Sequence, residues 1–134
     1  MIILSNSTAQ TLAAGQSLTF DTVILHTGCA ECHRNNSGSV GLVAKGAIYD
    51  VSFHANIGGV EAGDAQLSIV YEGSPLNETL MQVTTATAGD LDNVGTDTGI
   101  KTCCCGSANV TVVNTGTTPI NVAANPCLKI RRVA

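Results

Sequence analysis

Two segments of the chain hold residues whose types and spacing could do chemistry. Cys29-Ala30-Glu31-Cys32-His33 has the pattern of covalent haem attachment, in which two thiols bond the vinyl groups and the histidine ligates iron. Cys103-Cys104-Cys105 supplies further soft donors, so Cys32 and His33 with Cys103 and Cys105 make one zinc-type ligand set. On a strand Cys103 and Cys105 face one side and Cys104 the other. Asp90-Leu91-Asp92-Asn93-Val94-Gly95 opens like a calcium loop, but Val94 occupies a ligand position and Lys101 stands where the bidentate glutamate belongs. A looser carboxylate set of Asp90, Asp92 and Asp97 is the alternative there.

Simpler expectations stand beside each of these. Haem maturation requires export, and Met1-Ile2-Ile3-Leu4-Ser5-Asn6 has no basic start and too short an apolar run for a leader, so cytosolic synthesis is expected. Reduced cysteines then act as small buried hydrophobes. The six thiols, Cys127 included, allow fifteen disulfide pairings that the sequence does not choose among. Adjacent Cys104 and Cys105 point apart and do not pair with each other. A solvated loop is expected at Asp90–Gly95, and no cofactor or metal is expected overall.

Catalysis finds no support either. The histidines are His26, His33 and His54, no serine sits in a nucleophile elbow, and no glycine loop could cradle a phosphate. Cys32 and His33 are strand neighbours with opposed side chains, the wrong geometry for a thiol and its base. The chain is expected not to be an enzyme.

The elements that must position these residues are strands. Ala47, Tyr49, Val51, Phe53, Ala55 and Ile57 alternate with Ile48, Asp50, Ser52, His54 and Asn56, which gives a strand over 47–57 with one face in a core. Further strands are predicted at 17–26, 39–43, 66–71, 79–85, 99–105, 109–113, 120–122 and 128–133. Between them lie turns such as Asn35-Asn36-Ser37-Gly38, Glu72-Gly73-Ser74-Pro75 and Asn114-Thr115-Gly116-Thr117-Thr118-Pro119. Helical periodicity is nearly absent. Many short strands without a linker or repeat describe one all-β domain over residues 1–134, a sandwich or barrel, with residues 1–14 as an N-terminal arm or a first strand.

Composition narrows the partners. Charged residues are 12% of the 134, about half the roughly 25% usual for soluble domains. Such a surface is expected to be covered by other copies of the chain. A net charge of −4 excludes a nucleic-acid partner, and the one basic cluster, Lys129, Arg131 and Arg132, finishes the last strand. No run approaches the roughly 20 apolar residues of a membrane helix. Four matches to the glycosylation sequon, at Asn6, Asn35, Asn77 and Asn109, are read as chance in a chain rich in Asn and Thr.

Gly46-Ala47-Ile48-Tyr49-Asp50-Val51-Ser52-Phe53 resembles the glycine–tyrosine strand of tumour-necrosis-factor-like and complement-like jelly rolls. Asn109-Val110-Thr111-Val112-Val113-Asn114-Thr115-Gly116, followed by Leu128-Lys129-Ile130, is similar to the closing strands of such domains in phage or prophage surface proteins and bacterial spore-surface proteins. Two residues part Gly46 from Tyr49, where the family has one, and the aromatics that often line its threefold axis are scarce. The resemblance implies an antiparallel jelly-roll sandwich and a homotrimer burying on the order of 1,000 Å² or more per subunit. It further implies a virion-type structural protein, a capsid decoration or a head or tail fibre component assembled in the bacterial cytoplasm and displayed on the virion surface. Its partners would be other virion proteins such as the major capsid protein, with residues 1–14 gripping the lattice. A receptor- or glycan-binding module offering Tyr71 as a platform, or a spore-surface structural protein, is the alternative.

Overall fold

Strands follow one another along nearly the whole chain: β1 (Ile2–Ser5), β2 (Gln10–Leu12), β3 (Thr22–His26), β4 (Glu31–His33), β5 (Val40–Leu42), β6 (Ile48–Gly59) and β7 (Gly63–Tyr71). After these come β8 (Ser74–Pro75), a 3-10 turn (Asn77–Thr79), β9 (Met81–Thr85), β10 (Asp92–Lys101), β11 (Ala108–Val113), β12 (Ile120–Val122) and β13 (Cys127–Arg132). The structure is a computed structural model and describes residues 1–103 and 108–134.

Every pairing among the named strands is antiparallel. In the larger sheet β6 takes β10 on one edge and β13 with β12 on the other. β1 and β2 lie beyond β13 and β12, and β3 closes that side against β1. The smaller sheet runs β4, β5, β11 and β7, with β8 and β9 on the far edge of β7. β6 carries the register, because Tyr49, Val51, Phe53, Ala55 and Ile57 all point into the space between the sheets and are buried there. They meet Leu67 and Ile69 of β7, Val110 and Val112 of β11, and Val40 and Leu42 of β5 in one core. Alternation with a period of two fixes that register, since a slip of one residue would turn the apolar row to water.

Three expectations need correction, and one choice left open is decided. The strand expected over 17–26 breaks in two. Ser17 bridges Val113 and Leu18 N–H donates to Val112 O at 2.8 Å in the smaller sheet, whereas β3 joins β1 in the larger one. The chain crosses between sheets at 19–21, which takes Phe20 down into the core. The segment from Asp92 is no loop, as β10 pairs with β6 residue for residue over ten positions. Gly95, Gly99 and the aspartates are poor strand formers, but the free edge of β6 gives that backbone a partner. Of the two readings of residues 1–14, the structure has strands: Ile2 and Leu4 are fully buried, so this segment is no free arm. The strand expected over 99–105 ends at Lys101, and its Cys104 and Cys105 lie outside the described residues.

Candidate functional site

The structure disperses the candidate ligands. On β4, Glu31 and His33 turn inward and Cys32 outward. Both ring nitrogens of His33 lie against backbone oxygens, Nδ1 at 3.1 Å from Ser39 O and Nε2 at 3.3 Å from Phe20 O, so neither is open to an iron or zinc ion. Ala30, inside the haem-like pattern, is fixed as well: its carbonyl accepts from Tyr49 Oη at 2.6 Å and from Val43 N–H at 2.9 Å. Glu31 is buried beneath, with Oε2 at 3.2 Å from the Met1 ammonium. Cys103 lies past the end of β10, and Cys105 lies outside the described residues. Among the described residues no three His, Cys, Asp or Glu side chains come together as a metal site.

The carboxylate set parts in the same way. Asp92 and Asp97 sit opposite Ile57 and Ser52 of β6, five residues apart along the strand or about 17 Å, and on opposite faces. Asp90 stops short of the strand. Its backbone carbonyl packs so tightly on Gly58 that a Cβ there would stand 1.8 Å from the oxygen. The three aspartates cannot share one ion.

The cysteines also depart from expectation. Cys29, Cys32 and Cys103 are exposed and Cys127 is half-buried, so none of the described thiols is a core hydrophobe. Cys32 Sγ lies over Gly41, where a Cβ would come within 2.7 Å of it on the outer face of the smaller sheet. Cys127 opens β13 opposite His54 on the outer face of the larger sheet. Burial pushes its thiol up, against a smaller opposing effect of the Lys129 charge. Less thiolate then forms at a given pH, and the thiolate is the nucleophile. Iodoacetamide at neutral pH is expected to modify Cys127 more slowly than Cys29 and Cys32, with the gap closing as pH rises. Peptide mapping by mass spectrometry reads the three rates, and equal rates at neutral pH would contradict the burial.

The described residues also present an extended outer surface on the larger sheet. The outward row of β6 is Ile48, Asp50, Ser52, His54 and Asn56. Asp50 Oδ2 lies 3.4 Å from Arg131 Nε in an exposed pair of small energetic weight. Lys129 and Arg131 share this face and Arg132 takes the other, so the terminal basic cluster is divided. Beside it, edge strand β3 is exposed at all five residues, including Val23, Ile24 and Leu25. Ile24 is 59% exposed and is the extra residue at a register shift against Ile3 and Leu4. Ile48 and Val133, at the ends of β6 and the last strand, add exposed aliphatic surface to the same sheet. Tyr71 lines an open hollow with Gly46, Lys101 and Thr102. It is half-buried against the core, and desolvation, with the neighbouring Glu72 charge second, raises its phenol above the ordinary tyrosine range.

Solved structures superpose on nearly the whole chain. The globular domain of a zebrafish complement 1qA protein is 12% identical over 99% of this chain and 96% of its own, with a TM-score of 0.71. An Eiger TNF from S. frugiperda is 9% identical over 99% of this chain and 91% of its own, at 0.73. This chain is a TNF- and complement-like jelly roll in fold. The PRD1 vertex protein P5 shares the jelly roll at a TM-score of 0.51, 13% identical over 99% of this chain and 94% of its own. No protein-family model and no curated sequence matches the chain. In the terms of this fold, β1, β13, β6 and β10 form one sheet of the jelly roll and β5, β11, β7 and β9 the other. No described helix is long and apolar enough to cross a membrane.

Proposed function

We propose that this jelly roll is a structural component of a phage particle, a capsid decoration or fibre module that works as a homotrimer and catalyses no reaction. The observation that carries this reading is the uncovered aliphatic edge of the larger sheet, where Val23, Ile24 and Leu25 of β3 are all exposed. A contiguous apolar edge invites pairing or aggregation unless another surface covers it. The protein carries few charges to keep such a surface in water. Copies of itself are the cover that accounts for both features. Likeness in fold to a phage vertex protein supports the particle setting.

Native mass spectrometry at micromolar concentration is expected to give three times the chain mass, with little monomer. A stable monomer under those conditions removes the trimer. Co-sedimentation with purified particles tests the setting separately, and protein found only free in lysate counts against it.

A further inference from the structure

Three hollows of about 250, 310 and 320 Å³ adjoin one another on the outer face of the smaller sheet. The first two share Asp64 and Thr118, and the second and third share Gln66 and Thr115, so they form one groove. Its floor is β7, whose Asp64, Gln66 and Ser68 recur with the two-residue period of a strand, about 7 Å apart. One wall is the 114–119 loop, and Gln82 of β9 stands opposite.

That loop is held in place by its own buried residue. Asn114 is fully buried, and its Nδ2 donates to Leu12 O at 3.1 Å and to Thr118 O at 2.9 Å. Its Oδ1 accepts from Gly116 N–H at 3.0 Å. Gly116 presses on β7 so closely that a Cβ would stand 3.3 Å from Gln66 Cβ. Thr115 Oγ1 then takes Gln66 Nε2 at 3.0 Å and Ser68 Oγ at 2.9 Å. The groove is preformed, so a ligand would not have to order it.

We infer that this groove binds a neutral, hydroxyl-rich ligand, a glycan. Apart from Glu61 and Asp64 its polar side chains are amides and hydroxyls, groups that donate and accept at once, as sugar hydroxyls do. Asp64 uses Oδ1 to accept from Thr84 Oγ1 at 2.6 Å, which leaves Oδ2 as an acceptor for a ligand hydroxyl. Among the described lining residues there are two carboxylates, Glu61 and Asp64, and no Lys, Arg or His, so phosphate, sulfate and sialic acid are disfavoured. Val60 with Pro119 at one end, and Pro75 with Leu80 at the other, offer apolar contact to the C–H faces of a sugar. An extended peptide is the poorer fit, because β7 is paired with β9 over Gly63–Leu67 and Thr118 of the 114–119 loop already donates to Asp64 O at 3.2 Å. This inference needs only the fold of one chain, so it stands or falls independently of the trimer and the particle.

The test is an amide NMR titration of the full chain with lactose, N-acetylglucosamine and isomaltotriose at up to tens of millimolar, and with 3′-sialyllactose as the charged comparator. At least one neutral sugar is expected to shift the side-chain amide signals of Gln66 and Gln82, with 3′-sialyllactose at least tenfold weaker. Gln66→Ala is expected to weaken binding tenfold or more. Because Gln66 also holds the loop, Gln82→Ala, which removes an exposed side chain with no hydrogen bond among the described residues, serves as the fold-neutral variant and should weaken binding severalfold. Absence of shifts with every neutral sugar, equal binding of the sialylated one, or unchanged affinity in both variants each overturns the assignment.

Discussion

Removing residues 128–134 is expected to leave no cooperatively folded protein and no oligomer. β13 lies inside the larger sheet, between β6 and β1, and Leu128 and Ile130 are fully buried. Loss of each large aliphatic from a packed core costs about 2–5 kcal/mol, before the ladder hydrogen bonds are counted. β1 would lose its neighbour, and β3 with it, because β3 is attached to the sheet through β1. A domain of this size has about 5–15 kcal/mol of net stability, too little to absorb those losses together. Circular dichroism melting and size-exclusion chromatography read the outcome. A shortened chain that melts cooperatively and elutes as the intact oligomer would refute the topology. Removal of Val133 and Ala134 alone is the control. It takes away three backbone hydrogen bonds with Ile48, at 2.8, 3.1 and 3.3 Å, and should cost only about 1–3 kcal/mol.

Tyr49→Ala is expected to destabilise the protein by about 3–5 kcal/mol, in the range for loss of a buried aromatic side chain. Tyr49 is fully buried on β6, and its hydroxyl ties two loops to the core, donating to Ala30 O at 2.6 Å and accepting from Ala44 N–H at 3.1 Å. Tyr49→Phe keeps the ring and removes that oxygen. It strands Ala44 N–H and takes one of two donors from Ala30 O, which still accepts from Val43 N–H at 2.9 Å. A cost of about 1–2 kcal/mol follows from leaving a partly buried donor unmade. Chemical denaturation of the three proteins separates ring from hydroxyl. If Tyr49→Phe is as stable as the native chain, the hydroxyl does not anchor the 30–44 region. Faster amide exchange at Ala44 in Tyr49→Phe is the local signature of the same loss.

Much of the site analysis turned on residues that the sequence presents as chemical and the fold does not bring together. Cys32 and His33 are placed by β4 on opposite faces, which adjacency on a strand already implied. That both nitrogens of His33 face carbonyls of Ser39 and Phe20 was not legible, because those partners come from other parts of the chain. Glu31, which stands between two cysteines in the sequence, is buried. In the opposite direction, Asn114-Thr115-Gly116-Thr117-Thr118-Pro119 reads as an ordinary turn. The signal available there was Asn followed two residues later by Gly, the spacing of a side chain that caps its own turn. Its role as a groove wall depends on Gln66, far away in sequence and adjacent across the sheet.

The sequence by itself determined the all-β class, the inward row of β6, the bounds of β12 and the likeness to the jelly rolls, because alternation and turn residues are local and survive any register. It also carried the poverty of charge on which the oligomer proposal rests. Only the tertiary structure decided that residues 17–26 pass from one sheet to the other, that the glycine- and aspartate-rich stretch from Asp92 becomes a ten-residue strand, and that Ile2–Ser5 is held inside a sheet. In each case the deciding partner is a backbone edge many residues distant. Hydrogen bonding to that edge outweighs local propensity.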